Sequence, residues 1–155
     1  LGIGAYVRAP GKGPGAILNM NGGTLKAGMI QATSDKAVLN LAGGTITSTA
    51  IRMPASEHDG VVINWDFSSG SSTRITVTGD LIELLETEIN LKINGLKNGT
   101  YTLIENKGNG MINFTGKVNI TGVSTGSGAK VKLSDNAPGN DLILTIRAVD
   151  SRPNR

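Results

Sequence analysis

The stretch Val38-Leu39-Asn40-Leu41-Ala42-Gly43-Gly44-Thr45-Ile46-Thr47 decides the fold that the sequence predicts, because the chain repeats it. The upstream stretch Ile17-Leu18-Asn19-Met20-Asn21-Gly22-Gly23-Thr24-Leu25-Lys26 aligns with it without gaps, at an offset of 21 residues. A third, degenerate copy begins at Val62, another 24 residues on, with Asp66-Phe67 in place of the Gly-Gly pair. Periods of about 20 to 25 residues, each holding one strand-turn-strand unit, are typical of repeat architectures.

The alternation of residue types within one copy predicts a half-buried strand followed by a corner. Leu39 and Leu41 fall on one face of an extended chain, and Asn40 falls on the other. Gly43-Gly44 then supplies a corner where a positive φ costs little. The matching residues of the first copy, Gly22 and Gly23, are predicted to form the equivalent structural turn. One unit cannot bury its apolar face alone, so we expect successive units to stack by parallel strand pairing at about 4.8 Å.

The same rhythm of strands and turns continues to Ile146 and predicts an all-β fold. The specific prediction is a parallel β-solenoid (β-helix) of about six or seven coils over residues 16–146. An extended arm, residues 1–15, precedes it, and a short tail, residues 147–155, follows. The arm is predicted to be flexible or strand-exchanging, with these residues as the candidate assembly segment: Arg8, Pro10, Lys12 and Pro14.

The asparagines Asn19, Asn40 and Asn64 hold the same place in the three copies. If the copies stack in register, their side-chain amides are predicted to form a ladder of hydrogen bonds from one unit to the next. We interpret this ladder as a cause of rigidity and not as a binding site.

Composition narrows the function classes. The chain has 22 glycines, only 3% aromatic residues and a formal net charge of +3. Its basic residues are scattered singly and no aromatic residues alternate with them, which argues against nucleic-acid binding. No cysteine is present, and no apolar run approaches the roughly 20 residues of a membrane span, so we expect no disulfide and no membrane insertion. Since the chain begins without Met, we expect a processed product or a piece of a longer protein.

Residues with catalytic or metal-binding chemistry are few. His58 is the only histidine and lies in Glu57-His58-Asp59-Gly60, where neighbours in sequence make a poor first shell for a metal. The acidic stretch from Asp80 to Glu88 is interpreted as a solvated strand or short turn, and calcium binding there is left open. The sequence therefore predicts no catalytic residue, no metal, no cofactor and no enzyme activity.

The unit Leu39-Asn40-Leu41-Ala42-Gly43-Gly44-Thr45-Ile46 resembles the autotransporter-associated β-strand repeat of large secreted bacterial proteins. Residues 98–104 and 139–146 resemble the segments that commonly close such repeat regions. The resemblance implies a β-helix displayed outside a bacterial cell as a stalk, adhesin or scaffold, and it implies no catalytic residue.

Two functions follow as expectations. The first is an extracellular structural protein: a scaffold, stalk or filament subunit that self-associates end to end or continues a longer chain. The second is a carbohydrate-binding or carbohydrate-degrading β-helix, pectate-lyase-like or tailspike-like, with a glycan or a host surface as partner. That alternative requires an exposed aromatic platform or a carboxylate cluster, for which Trp65 and Phe67 are the aromatic candidates.

Overall fold

The computed structural model of the chain describes residues 6–8, 17–31, 37–53, 60–134 and 139–149. Within these ranges every regular element is a strand and no helix occurs. The strands are β1 Tyr6–Arg8, β2 Ile17–Gln31, β3 Ala37–Met53, β4 Val61–Asp66, β5 Arg74–Val77, β6 Ile82–Lys92, β7 Gly99–Asn106, β8 Ile112–Thr121, β9 Ser127–Leu133 and β10 Leu142–Ala148.

The sequence repeat coincides with the register of strand pairing. β2 runs parallel to β3, with Asn19 opposite Asn40, and β3 runs parallel to β4, with Asn40 opposite Asn64. β4 pairs in turn with β6, and β6 pairs with β8, again in parallel. Residues at equal places in the repeat are therefore direct neighbours across the strands.

The long strand β3 has three different partners along its length, and this bends the sheet around the core. Residues 37–41 pair with β4, residues 45–48 pair with β5, and residues 51–53 pair with β6. β6 bends in the same way, at an irregularity between Leu84 and Thr87 where Glu86 has a φ of 50°. The ten strands thus form one sheet that curls into a nearly closed, barrel-like wall.

The sheet is mixed, because its last strands pair in the opposite direction. β10 lies between β7 and β9 and runs antiparallel to both, with Leu144 opposite Tyr101 on one side and Val131 on the other. The prediction of a parallel β-solenoid of about six or seven coils is therefore wrong. Alternating apolar residues look the same in parallel and antiparallel strands, and only the chain reversal between β9 and β10 decides which pairing forms.

One apolar core fills the interior of this wall. The inward residues of each strand alternate with outward ones, as in β4, where Val61, Ile63 and Trp65 are buried. Leu142, Leu144 and Ile146 of β10 belong to the same core cluster as the residues of the repeat. The antiparallel strands are therefore part of the fold and not an appendage to it.

Side-chain hydrogen bonds hold the segment that leads into β10 in place. The Asn140 Oδ1 accepts a hydrogen bond from the Ile112 N–H at 2.8 Å, and the Asp141 Oδ1 accepts one from the Asn106 N–H at 2.8 Å. Asn140 is buried, so its amide satisfies backbone groups that water cannot reach. These two side chains attach β10 to the ends of β7 and β8.

Candidate assembly site: the asparagine ladder and the open strand edges

The outward face of the sheet carries a continuous ladder of asparagine amides. Each Nδ2 donates to the Oδ1 of the asparagine on the preceding strand: Asn40 to Asn19 at 2.9 Å, Asn64 to Asn40 at 2.9 Å, Asn90 to Asn64 at 3.0 Å and Asn119 to Asn90 at 2.9 Å. The in-register pairing described above brings these side chains within reach of one another. A side-chain ladder of this kind adds one hydrogen bond per strand to the backbone pairing.

The ladder is longer than the sequence repeat. The structure brings together the three predicted asparagines and two more, Asn90 and Asn119. A signal for both is present in the sequence, since Ile89-Asn90-Leu91 and Val118-Asn119-Ile120 share the apolar-Asn-apolar pattern of Leu39-Asn40-Leu41. These asparagines follow their predecessors after 26 and 29 residues, outside the period of about 20 to 25 residues, so neither stretch stands out as a further copy of the repeat.

The carboxylate of Glu88 fixes the orientation of the side-chain amide of Asn90, the fourth asparagine of the ladder. Its Oε2 accepts a second hydrogen bond from the Asn90 Nδ2 at 3.3 Å, so the nitrogen of that amide lies on the carboxylate side. The Lys117 Nζ lies 2.8 Å from the other oxygen of Glu88. Hydrogen bonding from Lys117, and then from Asn90, holds the pKa of Glu88 below its ordinary value, and the same contact raises the pKa of Lys117.

The two ends of the ladder are open and complementary. Among the described residues, the Asn19 Nδ2 has no acceptor and the Asn119 Oδ1 has no donor. One end therefore presents an unpaired donor, and the other presents an unpaired acceptor. A ladder with unlike ends has a head and a tail.

The backbone edges beside these two asparagines are open as well. β2 pairs with β3 on one side, and on the other side β1 covers only Met29–Gln31. β8 is the last strand on its side of the sheet and pairs only with β6. Within the described chain, the outer edges of residues 17–27 and 113–121 thus present unpaired backbone groups, which are a template for another strand.

Apolar side chains accompany both open edges. Ile17 is 64% exposed, and Leu18 of the same strand is only partly covered although it packs against the core. On β8, Val118 and Ile120 are likewise half-buried core-facing residues. Such residues at the edge of a core gain free energy when a further strand covers them.

The predicted turn glycines lie at bends within β2 and β3, and two of them have left-handed backbones. Gly23 and Gly44 have φ values of 75° and 79°. A Cβ at Gly44 would lie 2.4 Å from the Gly23 carbonyl oxygen, and one at Gly43 would lie 2.8 Å from that of Asn21. The stacked bends therefore approach too closely for side chains in the second copy. Gly22 has no positive φ, and a Cβ added to it would meet no atom within 4 Å.

A buried threonine that the sequence did not single out holds the second corner. The Thr73 Oγ1 donates to the Gly43 carbonyl at 2.8 Å and lies 3.1 Å from the Gly43 N–H. Its own carbonyl accepts from the Trp65 Nε1 at 2.9 Å. Thr73, which directly precedes β5, thus contacts both backbone polar groups of Gly43.

A shallow trough of about 460 Å³ runs along the ladder. Its lining includes Asn64 and Asn90 of the ladder together with Asp66 and Lys92 of the same two strands. Hydrogen bonds from the Ser68 side chain and then its backbone N–H lower the pKa of Asp66. The trough therefore offers amides, one carboxylate and one ammonium group to a ligand.

The aromatic candidates lie inside the fold. Trp65 and Phe67 are 1% and 4% exposed, so neither offers a ring face to a sugar. Phe67 instead packs edge-on against Tyr101, with ring centroids 6.0 Å apart.

The carboxylates of the acidic stretch from Asp80 to Glu88 do not come together to form a metal site. Asp80 accepts a hydrogen bond from the Asn109 N–H at 2.7 Å, and Glu88 contacts Lys117. In residues 17–31, 37–53, 60–134 and 139–149, no three His, Asp or Glu side chains are grouped as metal ligands. His58 lies outside the described residues.

The candidate assembly arm is only partly described. Arg8 belongs to β1 and pairs with Gln31 of the same chain, and Pro10, Lys12 and Pro14 lie outside the described residues. The described residues contain no helix long and apolar enough to cross a membrane. Comparison of the chain with protein-family models, with curated proteins and with solved structures gave no match.

Proposed function

We propose that this chain is a structural protein: a rigid scaffold unit that self-associates through its open strand edges. The observation that carries the proposal is the edge of β8, where unpaired backbone groups and the half-buried Val118 and Ile120 lie side by side. Natural proteins protect such edges with proline, charge or a covering segment, and β8 has one lysine and no proline. An edge left this open is suited to accept a strand.

Rigidity supports the same role. β3, β4 and β6 are paired along both edges, and the asparagine ladder ties their outward faces together. Every buried side-chain nitrogen or oxygen in the described part has a hydrogen-bond partner. A satisfied and continuous network resists local opening, which is the mechanical property that a spacer or stalk needs. The place we propose for it, outside a bacterial cell, rests on the sequence resemblance alone.

Sedimentation velocity over a wide range of protein concentrations, with negative-stain electron microscopy of the same samples, tests the proposal. We expect species larger than the monomer that increase with concentration. Val118→Lys places a charge at the edge and is expected to suppress them, whereas Ser69→Lys adds the same charge in an exposed turn and is expected to leave them unchanged. A wild-type chain that stays monomeric throughout would overturn the proposal.

Carbohydrate binding is the second candidate, and the trough beside the ladder is the observation that favours it. Amide groups with spare donors and acceptors, together with Asp66 and Lys92, suit the hydroxyl groups of a linear glycan. Because Trp65 and Phe67 are buried, recognition would depend on hydrogen bonds without aromatic stacking. Glycan-array binding that is lost in a Lys92→Ala variant supports this candidate, and binding unchanged by that variant counts against the trough.

A further inference from the structure

We infer that the partner of the β8 edge is a second copy of this chain, added head to tail and in parallel, so that the asparagine ladder continues from one copy into the next. Asn19 of the second copy donates its free Nδ2 to the free Oδ1 of Asn119. This inference rests on the proposed self-association and adds its polarity and register.

The existing register of the sheet specifies how the copies meet. Across the strands of one chain, the column that starts at Ile17 ends at Lys117, and the column that starts at Asn19 ends at Asn119. Repeating that step once more places Ile17 opposite Lys117 and Asn21 opposite Thr121. A shift by one residue would turn every core-facing side chain outward, so the register is strongly selected.

The inward side chains at the two edges match under this register. Leu18 meets Val118, and Met20 meets Ile120, so four core-facing residues cover one another. The outer edge of β8 also has backbone groups that are free to pair with the second copy. The Thr121 carbonyl accepts from the Ile93 N–H inside the chain at 2.9 Å, and successive residues point their backbone groups to opposite edges. The backbone groups of Ile120 and Val118 therefore face the open side.

The pairing is short, and its length limits the affinity. β2 begins at Ile17 and β8 ends at Thr121, so under this register residues 17–21 of one chain meet residues 117–121 of the other. A contact of this size gives weak, concentration-dependent association. It is also heterologous, since two unlike surfaces meet, and repeating it produces an open row of subunits.

Cross-linking tests polarity and register. The natural sequence has no cysteine, so any disulfide that forms must join the cysteines introduced by substitution. Ile17→Cys and Lys117→Cys change exposed residues, and the inferred pairing brings their Cα atoms to about 4.8 Å, within reach of a disulfide. We expect a disulfide-linked dimer when the two variants are mixed and oxidised, and none from either variant alone.

A charge exchange tests the ladder. Asn19→Asp keeps the oxygen that accepts from Asn40 but replaces the free donor with an anion, and is expected to weaken association about tenfold or more. Asn119→Lys alone is also expected to weaken it. The double variant places the new carboxylate at position 19 opposite the new ammonium group at position 119 of the next copy. It is expected to recover association to within about threefold of the natural chain. Circular dichroism checks that each variant is folded.

The outcomes separate this inference from the proposed function. If the natural chain associates but Ile17→Cys cross-links to itself, the copies meet head to head, and the inference fails while self-association stands. The inference also fails if the chain associates without any disulfide between positions 17 and 117 of the mixed variants, or if the double variant shows no recovery. Absence of association in the natural chain overturns both.

Discussion

Asn64, in the middle of the ladder, holds two neighbouring strands at once. It donates to Asn40 at 2.9 Å and accepts from Asn90 at 3.0 Å. Asn64→Ala removes both links, so the Asn40 Oδ1 loses its donor and the Asn90 Nδ2 keeps only Glu88 as an acceptor. We therefore expect the free energy of unfolding to fall by about 1–3 kcal/mol. Urea denaturation followed by circular dichroism measures it.

The end of the ladder provides the control for that change. Asn19→Ala removes one exposed link, and the expected loss is about 1 kcal/mol or less. No loss at either residue would show that the ladder adds nothing to the backbone pairing, and equal losses would contradict the double role of Asn64.

The corner glycines predict a graded series of stability effects. Gly44→Ala places a Cβ 2.4 Å from a carbonyl oxygen on a backbone of positive φ, and we expect a loss of at least about 2 kcal/mol in the free energy of unfolding. Gly23→Ala has the positive φ but open space, so about 1 kcal/mol is expected.

Gly22→Ala is the matched control for this series, because Gly22 has no positive φ and an added Cβ would meet no atom within 4 Å. Its expected effect is neutral or slightly stabilising, since alanine restricts the unfolded chain. Thermal unfolding of the three variants side by side measures the order, and a Gly44 variant as stable as the Gly22 variant would contradict the described corner.

At the scale of elements, the hairpin of β9 and β10 tests the mixed sheet. Leu144 is fully buried, whereas Leu133 on the adjacent strand is 37% exposed. Leu144→Ala is therefore expected to cost about 2–5 kcal/mol of unfolding free energy, and Leu133→Ala about 1 kcal/mol or less. Chemical denaturation measures both. Small and equal losses would mean that the hairpin does not pack on the core.

The ion pair between β6 and β8 makes stability depend on pH at both extremes. The pKa of Glu88 lies below its ordinary 4.5, so its stabilising contribution is present above pH 4.5 and disappears as the pH falls through the folded value. The pKa of Lys117 lies above its ordinary 10.5, so its contribution is present below pH 10.5 and disappears as the pH rises through the folded value.

A titration of stability therefore distinguishes the natural chain from its variants. The natural chain is expected to have a higher melting temperature than Glu88→Gln at neutral pH, and this difference is expected to disappear in acid. It is also expected to have a higher melting temperature than Lys117→Met at neutral pH, and this second difference is expected to disappear in strong base. Both differences are expected to shrink at high salt, because the pair lies at the surface. Differences in melting temperature that do not change with pH would rule out the pair as their source.

At the scale of the whole molecule, a single core cluster predicts one cooperative transition. Trp65 is the only tryptophan and is 1% exposed, with its Nε1 bonded to the Thr73 carbonyl. Its fluorescence is expected to shift to longer wavelength on unfolding, at the same urea concentration where the circular dichroism of the strands is lost. Separate midpoints would mean that the repeat and the hairpin fold as different units.

The repeated pattern in the sequence predicts which side chains become neighbours across the strands. The alignment of Asn19 with Asn40 and Asn64 placed these side chains in one column, and the structure shows their hydrogen bonds. The sequence does not mark Asn90 and Asn119 as members, because they follow after 26 and 29 residues, outside the period of the repeat. The role of Thr73 could not be read from sequence, since its partner Gly43 is 30 residues away.

Strands with bends at glycine are predictable from the residues alone, because alternation of side chains and backbone freedom are local properties. The direction of the last strands and the identity of the open edges follow from tertiary packing. The direction depends on where the chain reverses between β9 and β10, and burial of Leu142, Leu144 and Ile146 against distant residues stabilises that reversal. Alternation within a strand is the same for either direction, so no local pattern carries that information.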